Sequence, residues 1–235
     1  MREIEIKQIE PKEMISYFKN LTEEELTSEE FLTEFMLKRL GVGFRERDFS
    51  IEEGEYLPTK GIKMKIWPDE LARLLILLYK RKNDINSYLE FGTGKGGSFY
   101  IIDSYLRAIN PNMGRSVTID TKETPPWGFE EYKIQNPQVE YYGMRTQNFN
   151  MDEKYDLCFI DANHKYDGVK WDYKKVKDYC KIIAFHDIAT VNAKKPDQHC
   201  VRHLWAEIEA DHKIELVTTD PRISFMSGIG VIWND

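Results

Sequence analysis

The sequence predicts an α/β fold: a seven-stranded, mostly parallel sheet with an antiparallel last strand, helices on both faces, and an N-terminal helical extension. Three observations predict it. From residue 85 onward, short apolar runs alternate with amphipathic stretches, the pattern of a parallel sheet covered on both sides. The first apolar run ends in a glycine-rich turn, Gly92 to Gly97, that opens onto a helix-like stretch. The last two runs are joined without a helical pattern, so they form a hairpin-like pair.

The elements follow in chain order. Thr22-Glu23-Glu24-Glu25 has the form of a capping box. Behind it Leu26, Phe31, Phe35, Met36 and Leu40 make a helical stripe that Gly41 ends. Residues 41–66 carry four glycines and one proline and read as loop. Pro68 suits a first helical position, with Asp69 and Glu70 in the first turn, and the helix runs to about Lys82. Strands are expected at Ser87–Phe91, Ser116–Asp120, Val139–Tyr142, Tyr155–Ile160, Ile182–His186, Ile214–Thr218 and Ile229–Trp233. Helices are expected at Gly97–Ile109, Asp167–Tyr179 and Val201–Asp211. The chain therefore divides into residues 1–66, a helical extension or lid, and residues 67–235, the main domain.

Composition narrows the partners. The chain has 235 residues and a net charge of −7, with lysines and arginines interspersed among acids. No basic stripe stands out, so nucleic acid is not the expected partner. The longest aliphatic run, Leu74–Leu78, is far shorter than a membrane span. The first residues alternate charge with isoleucine and lack the apolar core of a secretory signal. Three cysteines, Cys158, Cys180 and Cys200, fit a reducing, cytoplasmic compartment.

The most informative stretch is Glu90-Phe91-Gly92-Thr93-Gly94-Lys95-Gly96-Gly97-Ser98. Glycines let a ligand approach the backbone, and a helix N-terminus offers free amides. At the first strand-to-helix crossing of an open sheet this is the expected crevice. Gly92, Gly94 and Gly97 satisfy a dinucleotide spacing, with Asp120 as ribose acceptor, so an NAD-dependent oxidoreductase is one reading. S-adenosylmethionine is the other, because a carboxylate at Glu90 suits an ammonium and repels a pyrophosphate.

This motif resembles the cofactor loop of class I S-adenosylmethionine-dependent methyltransferases. It is especially similar to the group of cephalosporin-hydroxylase-like proteins and antibiotic sugar O-methyltransferases. Gly61-Ile62-Lys63-Met64-Lys65 with Pro68-Asp69-Glu70-Leu71 resembles that group's lead-in. The resemblance covers about residues 60–190 and implies a Rossmann-like sheet. It implies that Glu90 faces the methionine amino group, and that Gly92, Thr93, Gly94, Gly96, Gly97 and Ser98 wrap the methionine part. Asp120 would take the ribose hydroxyls, and Met144 and Arg145 would lie by the adenine.

A second constellation is Asp161-Ala162-Asn163-His164-Lys165-Tyr166, after an apolar run, with His186-Asp187 ending the next one. If these strands are neighbours, their tips are about 5 Å apart. Asp161 and Asp187 would then converge beside the cofactor, either on a hard divalent cation such as Mg2+ or as caps of the following turns. His164 suits a general base or a hydrogen-bonded turn residue. The segment through Gly168, Val169 and Asp172 resembles the same family, with Ala162 in place of a glycine. That resemblance implies a metal set of Asp161, His186 and Asp187, with Asp161 also bordering the cofactor. His199 and His203, with Cys200 between, lack the second pair of a zinc site. Thr124-Pro125-Pro126-Trp127-Gly128-Phe129 is a loop suited to cover cofactor or substrate.

The reading is an S-adenosylmethionine-dependent methyltransferase acting on a hydroxyl of a small molecule, with Asp161 and His164 as catalytic residues. The N-terminal helices would serve as a lid or a homo-oligomer contact. The remaining alternative is a methyltransferase-like subunit that binds without catalysis.

Overall fold

The computed structural model describes residues 9–39, 66–190, 200–218 and 227–234. The expected helix stop at Gly41, the loop over 41–65 including Gly61–Lys65, and His199 lie outside the described residues.

Seven strands form one sheet in the order β3-β2-β1-β4-β5-β7-β6. They are β1 (Tyr88–Phe91), β2 (Ser116–Asp120), β3 (Val139–Gly143), β4 (Tyr155–Ile160), β5 (Cys180–His186), β6 (His212–Leu216) and β7 (Ile229–Trp233). Strands β1 to β5 are mutually parallel. Strand β7 inserts between β5 and β6 and runs antiparallel to both. The expected sheet and its antiparallel last strand are thus present. The order reverses between β1 and β4, which opens a crevice at their C-terminal tips.

The helices are α1 (Met14–Lys19), α2 (Glu23–Leu26), α3 (Glu29–Arg39), α4 (Pro68–Lys80), α5 (Gly97–Ile109), α6 (Phe129–Gln135), α7 (Tyr166–Val176) and α8 (Val201–Glu207). Alternation along β1 assigns the two faces. Tyr88 joins the core built with Phe18, Leu32, Leu74 and Phe99, whereas Leu89 and Phe91 join the core with Val169, Leu204 and Trp205. The N-terminal helices therefore extend the layer made by α4 and α5, sharing one apolar core with it.

Three departures from expectation have local causes. The stripe after Thr22 breaks into α2 and α3. Thr27 Oγ1 donates back to the Glu23 carbonyl, and Ser28 Oγ accepts from Phe31 N; such side chains compete with helix continuation. Helix α6 has only Phe129 and Tyr132 as buried positions, too few to register as a period. Helices α7 and α8 stop early, the latter because Ile208 is already extended (φ −73°, ψ 127°).

Helix α5 is held by a buried ion pair. Asp103 accepts from Arg107 Nε at 2.8 Å, from Tyr132 at 2.6 Å and from Ser116 Oγ. Arg107 also reaches the Gly114 carbonyl at 3.0 Å. This joins α5, α6 and the start of β2, and so fixes the helix that carries the glycine turn. Removing one partner leaves a buried charge uncompensated. Asp103→Ala should lower unfolding free energy by about 3–5 kcal/mol, read from urea denaturation; a loss below about 1 kcal/mol would mean the network is incidental.

Candidate active site

The glycine turn is shaped by its neighbours. Gly92 has φ 101°, and a Cβ there would sit inside the Asp161 backbone carbonyl. Gly92 N donates to Ile119 O at 2.8 Å, and Asp161 N donates to Phe91 O at 2.8 Å. The tips of β2, β1 and β4 are thereby pressed together, which only a glycine with positive φ allows. Gly96 (φ 88°) begins α5, and a Cβ there would lie 2.6 Å from Tyr100 and 3.0 Å from Pro126. Pro126 of the proline-aromatic loop therefore packs beside the turn, and Tyr100 anchors the loop through a 3.0 Å hydrogen bond to the Trp127 carbonyl. Gly94 and Lys95 remain open to solvent, and Asp120 is half-buried.

Glu90 is not open. It is fully buried beneath the turn. Its Oε2 accepts from the Tyr88 hydroxyl at 2.5 Å and its Oε1 from Ser98 Oγ at 2.8 Å. Burial pushes its pKa up to about 8; the two hydroxyls pull it down, and Asp161 and Asp120 push it further up. Within the fold Glu90 meets the Ser98 and Tyr88 hydroxyls and has no solvent exposure of its own. Thr93 is likewise turned inward, 2.6 Å from Thr118 Oγ1. Asp120 accepts from Gly94 N at 2.7 Å and from Lys122 N at 3.1 Å, and Lys122 Nζ donates to Gly94 O at 2.9 Å. Sequence reasoning missed Tyr88 and Lys122. Tyr88 was legible as the residue two before Glu90, hence on the same strand face.

The second constellation also assembles, because β4 and β5 are register neighbours with Ile160 opposite Phe185. His164 stands between two carboxylates, with Nε2 3.1 Å from Asp161 Oδ1 and Nδ1 3.0 Å from Asp187 Oδ2. His186 Nδ1 lies 3.0 Å from the same Asp161 oxygen and 3.6 Å from Asp187 Oδ1. Thr190 Oγ1 donates to Asp187 Oδ1 at 2.7 Å. Asp187 has φ 65°, a left-handed conformation that Asp tolerates better than most residues; it turns the chain back so that both acids meet.

The charges follow. Burial pushes the Asp161 carboxyl up, but His186 and then His164 outweigh it and hold the group well below the usual range. Burial pushes His186 down, but Asp161 and Asp187 raise it to about 10. His164 is raised by the same two carboxylates against its own burial. Two imidazole rings thus alternate with two carboxylates. The expected metal set of Asp161, His186 and Asp187 comes together as this hydrogen-bonded network and not as a cage. Among the described residues no three such groups converge on one ion position. A cation would have to displace His164 from between the acids, so these residues do not fit one as they stand. Arg145 is exposed, just after β3.

Known proteins resemble this chain in fold and in one domain. Residues 89–188 match a family model described as a methyltransferase domain. No curated protein is similar enough in sequence to match. Among solved structures, the O-methyltransferase TomG from Streptomyces achromogenes, in complex with SAM, is similar over 100% of both chains, at 18% identity and a TM-score of 0.53. The SAH-bound methyltransferase PaMTH1 of Podospora anserina is similar over 73% of this chain and 80% of its own, at 16% identity and a TM-score of 0.50. The 1,6-didemethyltoxoflavin-N1-methyltransferase of Burkholderia thailandensis, with S-adenosylhomocysteine bound, is similar over 68% of this chain and 76% of its own, at 10% identity and a TM-score of 0.50.

The buried acid has a consequence for stability. Its folded pKa of about 8 stands above the ordinary 4.5, so the folded state binds the proton more tightly. Its contribution is fully present below the ordinary value and is lost as pH rises through about 8. Urea midpoints of the ligand-free protein should fall across that window, and Glu90→Gln should flatten the fall. An unchanged slope in Glu90→Gln would show that Glu90 is not the group responsible.

Proposed function

From the match of residues 89–188 to a methyltransferase domain, we propose that the chain is a class I S-adenosylmethionine-dependent methyltransferase that methylates a hydroxyl group of a small molecule. The observation that carries this reading is the acidic surround of the glycine turn. Glu90, Asp120 and Asp161 stand at the C-terminal ends of three adjacent strands, and the latter two lie near enough to disfavour the charge on Glu90. Such a surround favours a ligand bearing ammonium and sulfonium groups and disfavours the pyrophosphate of a dinucleotide.

S-adenosylmethionine, when bound, supplies a methyl group already activated by its positive sulfur. The chain's own work is then positioning, water exclusion and proton removal. Gly92, Gly94 and the start of α5 present backbone to the methionine part. Glu90 acts through Ser98, which it holds at the helix start, and ionises more readily once a cation lies above it. Asp120 is freed to meet ribose hydroxyls if Gly94 N turns to the ligand. Arg145, on the exposed tip after β3, is assigned to the adenine side.

For the acceptor, His164 is the most exposed member of the network. Once His164 has lost its proton to solvent, one ring N–H stays on a carboxylate; an acceptor hydroxyl that replaces the other carboxylate meets the unprotonated nitrogen, which takes the hydroxyl proton. Asp161, kept ionised by His186, then stabilises the resulting imidazolium. No step is assigned to a divalent cation.

Calorimetry with S-adenosylhomocysteine should show one site, and NADH should show none; the reverse result rejects the reading. His164→Ala should leave that binding intact and lower the rate of transfer from labelled S-adenosylmethionine roughly 10²–10⁴-fold. Full activity in His164→Ala would remove it as the base.

A further inference from the structure

At the edge of the sheet opposite Asp161, where β5 begins and β7 ends, lies a cavity of about 460 Å³. Its wall carries Arg81 after α4, Lys177 after α7, Lys181 on β5, Asp84 before β1, and Asn234 after β7. Three cations face one carboxylate there, in a chain whose net charge is −7. Lys181 is already engaged, with Asp156 Oδ1 at 2.5 Å.

Arg81 is the distinctive member. Its guanidinium lies 4.6 Å from the centroid of the Trp233 ring, an indole that also stacks with His212 at 4.7 Å. Its Nε is buried and has no hydrogen-bond partner among the described residues. A buried donor of a charged group left unpaired is unfavourable, and a guanidinium seated on an aromatic face presents a pre-set fork.

We propose that this cavity is a second ligand site, distinct from the glycine turn, for a small organic anion bearing a phosphate or carboxylate. Arg81 and Lys177 take the anionic group, with the guanidinium binding it through paired N–H donors. Asp84 and Asn234 meet hydroxyl or amine donors on the rest of the ligand. The volume suits a small metabolite.

The test is calorimetric titration of the full chain with inorganic phosphate and, separately, citrate, at fixed ionic strength. One saturable site is expected with at least one probe, and the stronger probe tells phosphate from carboxylate. Affinity should fall roughly tenfold or more, at least 1.4 kcal/mol, in Arg81→Gln and in Lys177→Gln. It should be unchanged in His164→Ala and in Lys82→Gln, since Lys82 packs over Tyr79 and not on the cavity wall. Lys177 is exposed, so its variant reads the site without disturbing the Arg81–Trp233 contact. Absence of saturable binding with both probes overturns the proposal, as does equal weakening by Lys82→Gln, which would mean general surface attraction.

Discussion

The Glu90 carboxyl is stripped of water without receiving a cation among the described residues; two hydroxyls are all that replace its hydration. That imbalance organises the top of the sheet. Burial favours the protonated form, and Tyr88 and Ser98 favour the ionised one. The compromise leaves the group close to its own midpoint near neutral pH, where a positive ligand above the turn can tip it. Ser98 belongs to the first turn of α5 and Tyr88 stacks on Phe99 of the same helix. The acid therefore sets where α5 begins, and with it where the backbone of the turn points.

The second network solves a different electrostatic problem. Two acids at adjacent strand ends would repel, and each would resist ionisation. Here His164 is wedged between them and His186 backs Asp161 from inside the fold. The alternation of imidazole and carboxylate holds Asp161 ionised despite its burial. It also gives His164 exchangeable partners, which a base needs if it is to let go of one carboxylate and meet an acceptor.

Much of this was legible in the chain itself, and what was not has a common reason. The glycine turn announces itself because its spacing, the preceding apolar run and the following helical stripe all fall within a few residues. The Asp161–His164 pairing is also local. The partner on the other ring nitrogen, Asp187, arrives only through the register of β4 and β5, which no local pattern encodes. Glu90 reads correctly as an acid at a strand end, but its cover by Ser98 depends on how tightly α5 closes over β1. Helix α6 escaped notice because two buried residues make no period, and the break at Thr27 because side-chain back-bonding overrides an apolar stripe.

Glu70 shows the same limit and ties the layers to the site. As an acid in a first helical turn it looks like a dipole complement. In the fold it is fully buried and accepts from Thr218 N at 3.0 Å, Gly228 N at 2.9 Å and Ser227 Oγ at 2.8 Å. One carboxylate from α4 thus clamps both ends of the connection between β6 and β7. Ser227 and Gly228 in turn accept from Ala189 and Ile188, just after Asp187. Arg73, one helical turn on, joins Glu29 of α3 to the Val217 carbonyl. A path of hydrogen bonds therefore runs from the N-terminal helices through α4 to the acid that holds His164. The extension is held over α4 mainly by the apolar core they share, and the half-exposed Arg73–Glu29 pair adds orientation and little energy.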